Sequence, residues 1–373
     1  MKRTIITFLL VASAIAFCMP VFASVPPEYG DLIDDIGASE LTEYLPDETV
    51  EELDESGVKI DDIDIDITKI LEHIFSTAKN ESTQPIRTGT VLLGAIMLAS
   101  LAGGFKNALS DSRTANTVCT AVSVFCAVTV TAPLLRFFTA TAKAIETANT
   151  FEKCFIPVFA AVLISAGQNA SAIGSAAGIL TASELSASVL TKAVLPFSRV
   201  LAGISACACA LGSSMEAILS EIEKGIKWTL GLISSILVGA LTISGIAASG
   251  VDSVAGKTMK FVVSGTVPVI GGSLSEALSS VKSCIGLLRN SVGAFGIVAC
   301  AYIFLPVIIQ GAEWNLVLSL CSGAAGMLCA ENISKLLKSF SGIVSLVLSA
   351  CILMMLVLIV SASMIVIVGK GAA

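Results

Sequence analysis

Apolar and polar positions alternate in two different ways along the 373-residue chain. Between Ser24 and Pro85 apolar residues are sparse and helically spaced: Leu41, Tyr44, Leu45, Val50 and Leu53, then Ile67, Ile70, Leu71, Ile74 and Phe75. That spacing predicts short helices with one apolar face, joined by a flexible tip. From Ile86 onward the apolar residues form long runs. Eight of them approach spanning length, at 86–105, 115–137, 154–180, 201–215, 228–250, 292–309, 314–330 and 343–368. The last is long for one crossing and is expected to tilt or protrude.

The amino terminus reads differently again. Lys2 and Arg3 precede an apolar stretch at 5–19, Pro20 ends it, and Val21-Phe22-Ala23 fits the small-residue rule for a signal peptide cleaved after Ala23. Residue 24 onward would then begin outside the cytoplasm. The expected fold class is all-α: a polytopic helical membrane protein of about eight spans after a cleaved signal peptide. Its expected divisions are 1–23 (signal peptide), 24–85 (acidic extracytoplasmic segment) and 86–373 (multispan domain).

Composition sharpens this division. The chain is 55% hydrophobic and only 14% charged, where a soluble domain carries about a quarter charged residues. Residues 24–85 hold 18 Asp+Glu against 3 Lys, and the rest of the chain 11 acids against 19 bases. No Lys/Arg cluster suggests nucleic acid as a partner. Ten basic residues fall in the predicted cytoplasmic loops against seven outside, the sense of the positive-inside rule. The 11 cysteines lie almost all in apolar runs, none in the acidic segment, and read as small packing residues. Ridges of small residues, such as Ser322, Gly326 and Ala330, let helices approach closely in lipid and allow a homo-oligomer.

One stretch breaks the apolar pattern. "FVVSGTVPVIGGSLSEALSSVKSC" begins at Phe261, is interrupted by Gly265, Pro268, Gly271 and Gly272, and turns into a Ser-rich helix pattern. Freed backbone groups cannot face hydrocarbon, so the segment must be buried in protein or line a wet cavity. Ser273 and Glu276 form a capping box. Beyond it, Ser275, Glu276, Ser279 and Lys282 share a polar face. The segment is expected to be a re-entrant or interfacial element on the cytoplasmic side, either a connector or the hydroxyl-lined wall of a conduit.

Several chemistries lack their residues. Asp62, Asp64 and Asp66 match the start of a calcium loop, but Ile67 stands where Gly is needed and His73 where the bidentate Glu belongs. His73, the only histidine, is expected on the surface of an amphipathic helix. "GVDSVAGKT" has five residues between its glycines instead of four, which argues against a phosphate loop. The membrane part has no histidine to serve a protease or a zinc site. Glu184 is the most interior carboxylate, with Lys192 as its expected partner. No cofactor is expected.

"GTVPVIGG" (Gly265 to Gly272), with Lys260 ahead and the Ser-rich helix behind, resembles a G-x-x-P-V-[IV]-G pattern of the stage III sporulation protein AE family. "RNSVGAFGIV" (Arg289 to Val298) resembles the segment that follows it. The resemblance covers the order of elements along essentially the whole chain. It implies a non-enzymatic, export-gate or permease-like subunit of a channel complex joining mother cell and forespore. The implied location is the mother-cell membrane around the forespore. The implied partners are other stage III channel proteins, including a separate cytoplasmic motor ATPase and intermembrane ring proteins. Two other readings stay open, a scaffold that anchors those proteins and a stand-alone solute permease.

Overall fold

The computed structural model describes residues 23–24, 39–58, 62–63, 67–108, 112–165, 169–211, 271–328 and 330–368, with isolated positions between 221 and 231. Residues 1–22 of the expected signal peptide at 1–23, Gly265, Pro268 and nearly all of the expected span at 228–250 lie outside the described residues.

The order begins with β1 (Ala23–Ser24), a 3-10 turn (Ser39–Tyr44), α1 (Asp47–Glu55), β2 (Asp62–Ile63), α2 (Ile67–Glu81) and α3 (Thr83–Ala108). It continues with α4 (Ser112–Ser165), α5 (Asn169–Val189), α6 (Leu195–Leu211), α7 (Gly271–Met327) and α8 (Glu331–Val368). A π-helical turn, Leu190–Val194, joins α5 to α6. β1 and β2 pair antiparallel, Ala23 opposite Ile63. The protein is thus helical apart from this two-residue pairing among the described residues.

The helices are longer than the apolar runs that predict them. α4 has 54 residues and α7 has 57, each about 80–85 Å at 1.5 Å per residue. A hydrocarbon core is about 30 Å thick. The expected loop at 138–153 is helical, so the 115–137 span and the start of the 154–180 span share α4. Likewise the expected 292–309 and 314–330 spans share α7. A charge ends an apolar window without ending a helix. Residues 138–153 contain neither Gly nor Pro, and 310–313 contain one Gly, too little to break either helix. Among the described residues four stretches are long and apolar enough to cross a membrane: Thr120–Ala161, Ala176–Ala208, Val292–Met327 and Glu331–Ile359.

α8 packs against α4, α5, α6 and α7. Val344, Leu346, Val347, Ala350, Cys351 and Met354 form one broad face of it and are fully buried, while Ser345, Ile352 and Leu353 on the other face are half-buried and Ser349 is exposed. The wide apolar stripe is what the neighbouring helices cover. α7 and α8 form an antiparallel hairpin, and hydroxyls and one amide cross it. Ser322 Oγ donates to the Ser334 carbonyl at 2.9 Å, and Ser334 Oγ donates to the Ser322 carbonyl at 2.9 Å. Ser319 Oγ lies 3.1 Å from Ser341 Oγ, and Asn315 donates to Ser345 Oγ. Ser205 of α6 reaches Ser339 at 2.8 Å. Between apolar helices such contacts fix rotation and register.

α2 and α3 run parallel to α7. His73 stacks on Tyr302, Glu81 accepts a hydrogen bond from Gln310, and Gly89 lies against Val317, a nearly constant offset in sequence. The acidic segment is therefore anchored along α7.

Candidate functional site

α1 ends in a turn that the sequence "DESGV" dictates. Gly57 takes φ 77°, a left-handed conformation that glycine adopts without steric cost. The Gly57 N–H donates to the Asp54 carbonyl at 3.1 Å and the Val58 N–H to Leu53 at 2.9 Å, the paired bonds of a Schellman cap. Leu41, Leu45, Leu53 and Val58 join the core. The turn brings Ser56 Oγ to 2.6 Å from the Tyr302 hydroxyl in the middle of α7.

Tyr302 receives a second partner from α2. The His73 ring stacks on it with centroids 5.1 Å apart and planes at 25°. His73 Nε2 lies 3.5 Å from Glu52 Oε2 and 3.3 Å from Thr77 Oγ1. The histidine side chain is 12% exposed, which corrects its expected surface position. α2 turns its apolar face, which includes His73, onto α7 instead of into water.

This joint is proton-sensitive. Burial, reinforced by the Glu48 and Glu55 charges, pushes Glu52 from its ordinary value of 4.5 up to about 7. Burial also lowers His73, against the pull of Glu55. Near neutrality Glu52 is about half protonated, and losing that proton leaves a carboxylate among two others.

Two further polar clusters join neighbouring helices. Gln310 Nε2 donates to Glu81 Oε2 at 2.5 Å, and nearby Glu313 has one buried carboxylate oxygen with no hydrogen-bond partner among the described residues. Between α4 and α5, Ser183 Oγ donates to the buried Glu152 and lies 3.2 Å from Asn149 Oδ1. Asn149 Nδ2 donates to Glu184 Oε2 at 3.2 Å, and Lys153 pairs with that oxygen at 2.6 Å. The expected Lys192 partner for Glu184 is thus corrected to Lys153, because the antiparallel neighbour α4 brings a cation closer than the same chain eight residues on. Among the described residues no three His, Cys, Asp or Glu side chains converge as metal ligands do.

The expected site residues fall elsewhere. Gly271, Gly272, Ser275, Glu276, Ser279 and Lys282 form the first turns of α7, which runs unbroken to Met327. The helix begins two residues before the expected cap at Ser273. Ala23, the expected cleavage position, begins β1. Tyr302 and its partners escape a sequence reading because the tyrosine lies in an apolar run and its contacts come from more than two hundred residues away. A lone phenol in a span-like run was the available signal.

The family model described as stage III sporulation protein AE matches residues 49–369. A protein of Bacillus subtilis (strain 168) with the same description is 27% identical over 156 residues, 42% of this chain and 39% of that relative. The matched part therefore spans well under half of that relative's length. No solved structure matches the chain.

Proposed function

Because the chain belongs to the stage III sporulation protein AE family, we propose that it is a membrane core subunit of a channel or secretion complex between mother cell and forespore. It performs no chemistry itself and works with a separate ATPase motor and intermembrane ring proteins. It resides in the mother-cell membrane around the forespore, with its signal peptide removed and the acidic segment outside the cytoplasm.

The observation that carries this reading is the docking of α1 and α2 onto α7. A charge-dense surface suited to protein partners is coupled through Ser56, His73 and Tyr302 to an apolar bundle suited to a membrane. The broad buried face of α8 closes the space between α4, α5, α6 and α7, which supports a conduit between subunits over one through a single chain. The broken segment at Gly265, Pro268 and Gly271, with the face Ser275–Ser279–Lys282, then contributes to a wall shared with neighbours.

Replacing Pro268 and Gly271 with Leu tests the reading. Spore yield is expected to collapse while the protein level holds, and normal yield rejects the conduit. Thiol accessibility of Cys introduced at Ser275, Ser279 and Ser283 separates a wet wall, which labels, from a packed scaffold, which does not.

A further inference from the structure

The exterior of the bundle changes character along its length. Three contacts fix one level on five helices. Gly311 of α7 meets Phe137 of α4 and Leu348 of α8. Gln310 meets Glu81, two residues before α3, and Arg199 of α6 meets Thr139 of α4. Beyond this level, away from α1, large apolar side chains stand exposed: Met97, Leu98 and Leu101 on α3, Phe125 and Val128 on α4, Leu320 on α7. On the α1 side the exterior carries Lys143, Glu146 and Lys153 of α4, Glu184 of α5 and the acids of α1, with Phe75, Ile164 and Leu185 as scattered exposed apolar residues among them. There the apolar residues at 292–309 of α7 and 343–359 of α8 lie inside the protein.

Charge spacing gives the height of the apolar end. α3 has no charged residue between Arg87 and Lys106, nor α4 between Arg113 and Arg136, nor α7 between Glu313 and Glu331 at the start of α8; beside that last interval the antiparallel α8 carries two exposed cations, Lys335 and Lys338, so the apolar band lies on α3, α4 and α7 and not on the outer face of α8. Those intervals are about 28, 35 and 27 Å at 1.5 Å per residue, close to the roughly 30 Å of bilayer hydrocarbon. Arg136 and Arg199 are exposed where the apolar band meets the polar exterior, the position at which cations reach lipid phosphates. The band lies on helices that succeed one another around the bundle: α3 packs on α4 and α7, and α4 on α6. A belt of this kind suits acyl chains, whereas a patch for one protein partner occupies one face.

We propose that the bilayer encloses only this end of the molecule. The α3–α4 hairpin crosses it, and the end of α6 and the tip of the α7–α8 hairpin enter it. The most apolar stretches of the chain, at 292–309 and 343–359, stand outside the hydrocarbon within a protein sheath, on the side that carries α1. α7 is continuous, so the backbone of Ser275–Lys282 lies on that same side, opposite to the cytoplasmic side expected from the sequence.

Cysteine labelling in membranes tests this placement. Ala177 of α5 is exposed on the α1 side, yet by hydropathy it lies within a spanning stretch. Val128 is 66% exposed in the band. The full-length protein carrying Ala177→Cys or Val128→Cys is treated with a membrane-impermeant maleimide in membranes opened by freeze–thaw. Modification is read site by site by mass spectrometry, with the native cysteines as internal references. Ala177→Cys is expected to react at least tenfold faster than Val128→Cys. After purification and bimane labelling, brominated-chain phosphatidylglycerol vesicles should quench the probe at 128 and not at 177. Equal or reversed reactivities overturn the proposal. So does a probe at 128 that is shielded from maleimide but unquenched by brominated chains and cross-links to a second copy, since protein would then cover the band.

Discussion

Gly296→Ala measures how tightly α7 is seated on α4. A Cβ at this position stands 2.4 Å from Cε2 and Cζ of Phe155 and 3.0 Å from Cε1. Comfortable carbon–carbon contact is about 3.5–4.0 Å, so the ring or the helix must move by about 1 Å. Phe155 is buried between Phe151 at 5.6 Å and Phe159 at 5.7 Å, centroid to centroid, and Phe151 meets Phe295 from α7 itself. The ring has nowhere to swing, and overpacking of this kind costs about 1–3 kcal/mol. Against it stands a gain of about 1 kcal/mol from replacing a mid-helix glycine with alanine. Gly323→Ala in the same helix isolates that gain, because nothing lies within 4 Å of its Cβ. Thermal midpoints in mild detergent should place Gly323→Ala above the parent. The free-energy gap between the two variants should equal the overpacking cost, about 1–3 kcal/mol. Adding Phe155→Leu should recover much of the loss as a favourable coupling in the double-mutant cycle. If Gly296→Ala is as stable as Gly323→Ala, α4 and α7 do not pack as described.

The proton-sensitive joint predicts a pH effect of definite sign. Glu52 has an ordinary value of 4.5 and about 7 in the fold, so the folded state binds the extra proton and the glutamate lowers stability as pH rises through that window. The full shift corresponds to about 3 kcal/mol, and partial water access reduces it to about 1–2 kcal/mol. Glu52→Gln should therefore match the parent near pH 4 and exceed its thermal stability above pH 7. Parallel pH profiles would contradict the burial of that carboxylate. Tyr302→Phe removes the bond to Ser56, should cost about 1 kcal/mol, and should release α1 to limited proteolysis before the bundle unfolds. Uniform protection of α1 would argue against the dock. Met354→Ala, fully buried in α8, should cost about 2–5 kcal/mol by leaving a cavity. Val128→Ala, 66% exposed, should stay within about 0.5 kcal/mol. Similar losses at both sites would mean that α8 is not enclosed.

The helical class and the presence of apolar helices long enough to cross a membrane are legible in the sequence because each rests on local pattern. Apolar runs report a need for burial, and Asp/Glu density reports a need for water. Helix ends are less legible. "FTATAKAIETANTFEK" lowers hydropathy without carrying a breaker, so α4 continues where a loop was expected. The partners of Tyr302 and of Glu184 are not legible at all, since α2 reaches Tyr302 from an offset of 229 residues and α4 reaches Glu184 across a helical turn-back. Ser322 and Gly326 lie between the two cases. Their spacing predicts a close helix contact, and the structure supplies the partner: a Cβ placed on Gly326 would lie 3.6 Å from Ser334 Oγ.

Hydropathy cannot tell what surrounds an apolar helix. Both α8 and the first half of α4 consist of residues that avoid water, and a window average treats them alike. The difference lies in their neighbours. Around Val344–Ile359 the surrounding helices turn apolar faces inward and Lys143, Glu146, Lys153 and Glu184 outward. Around Val118–Leu135 one face points outward with Val118, Val124, Phe125, Val128 and Leu135 exposed, and no charge interrupts the stretch for more than twenty residues. A charged exterior pays a heavy desolvation penalty in hydrocarbon, and an exposed girdle of Leu, Met and Phe pays a comparable one in water. Those two penalties act in opposite directions along the same bundle. They position the membrane by the chemistry of the surface, and the most hydrophobic helix of the chain then serves as the core that holds its neighbours in register.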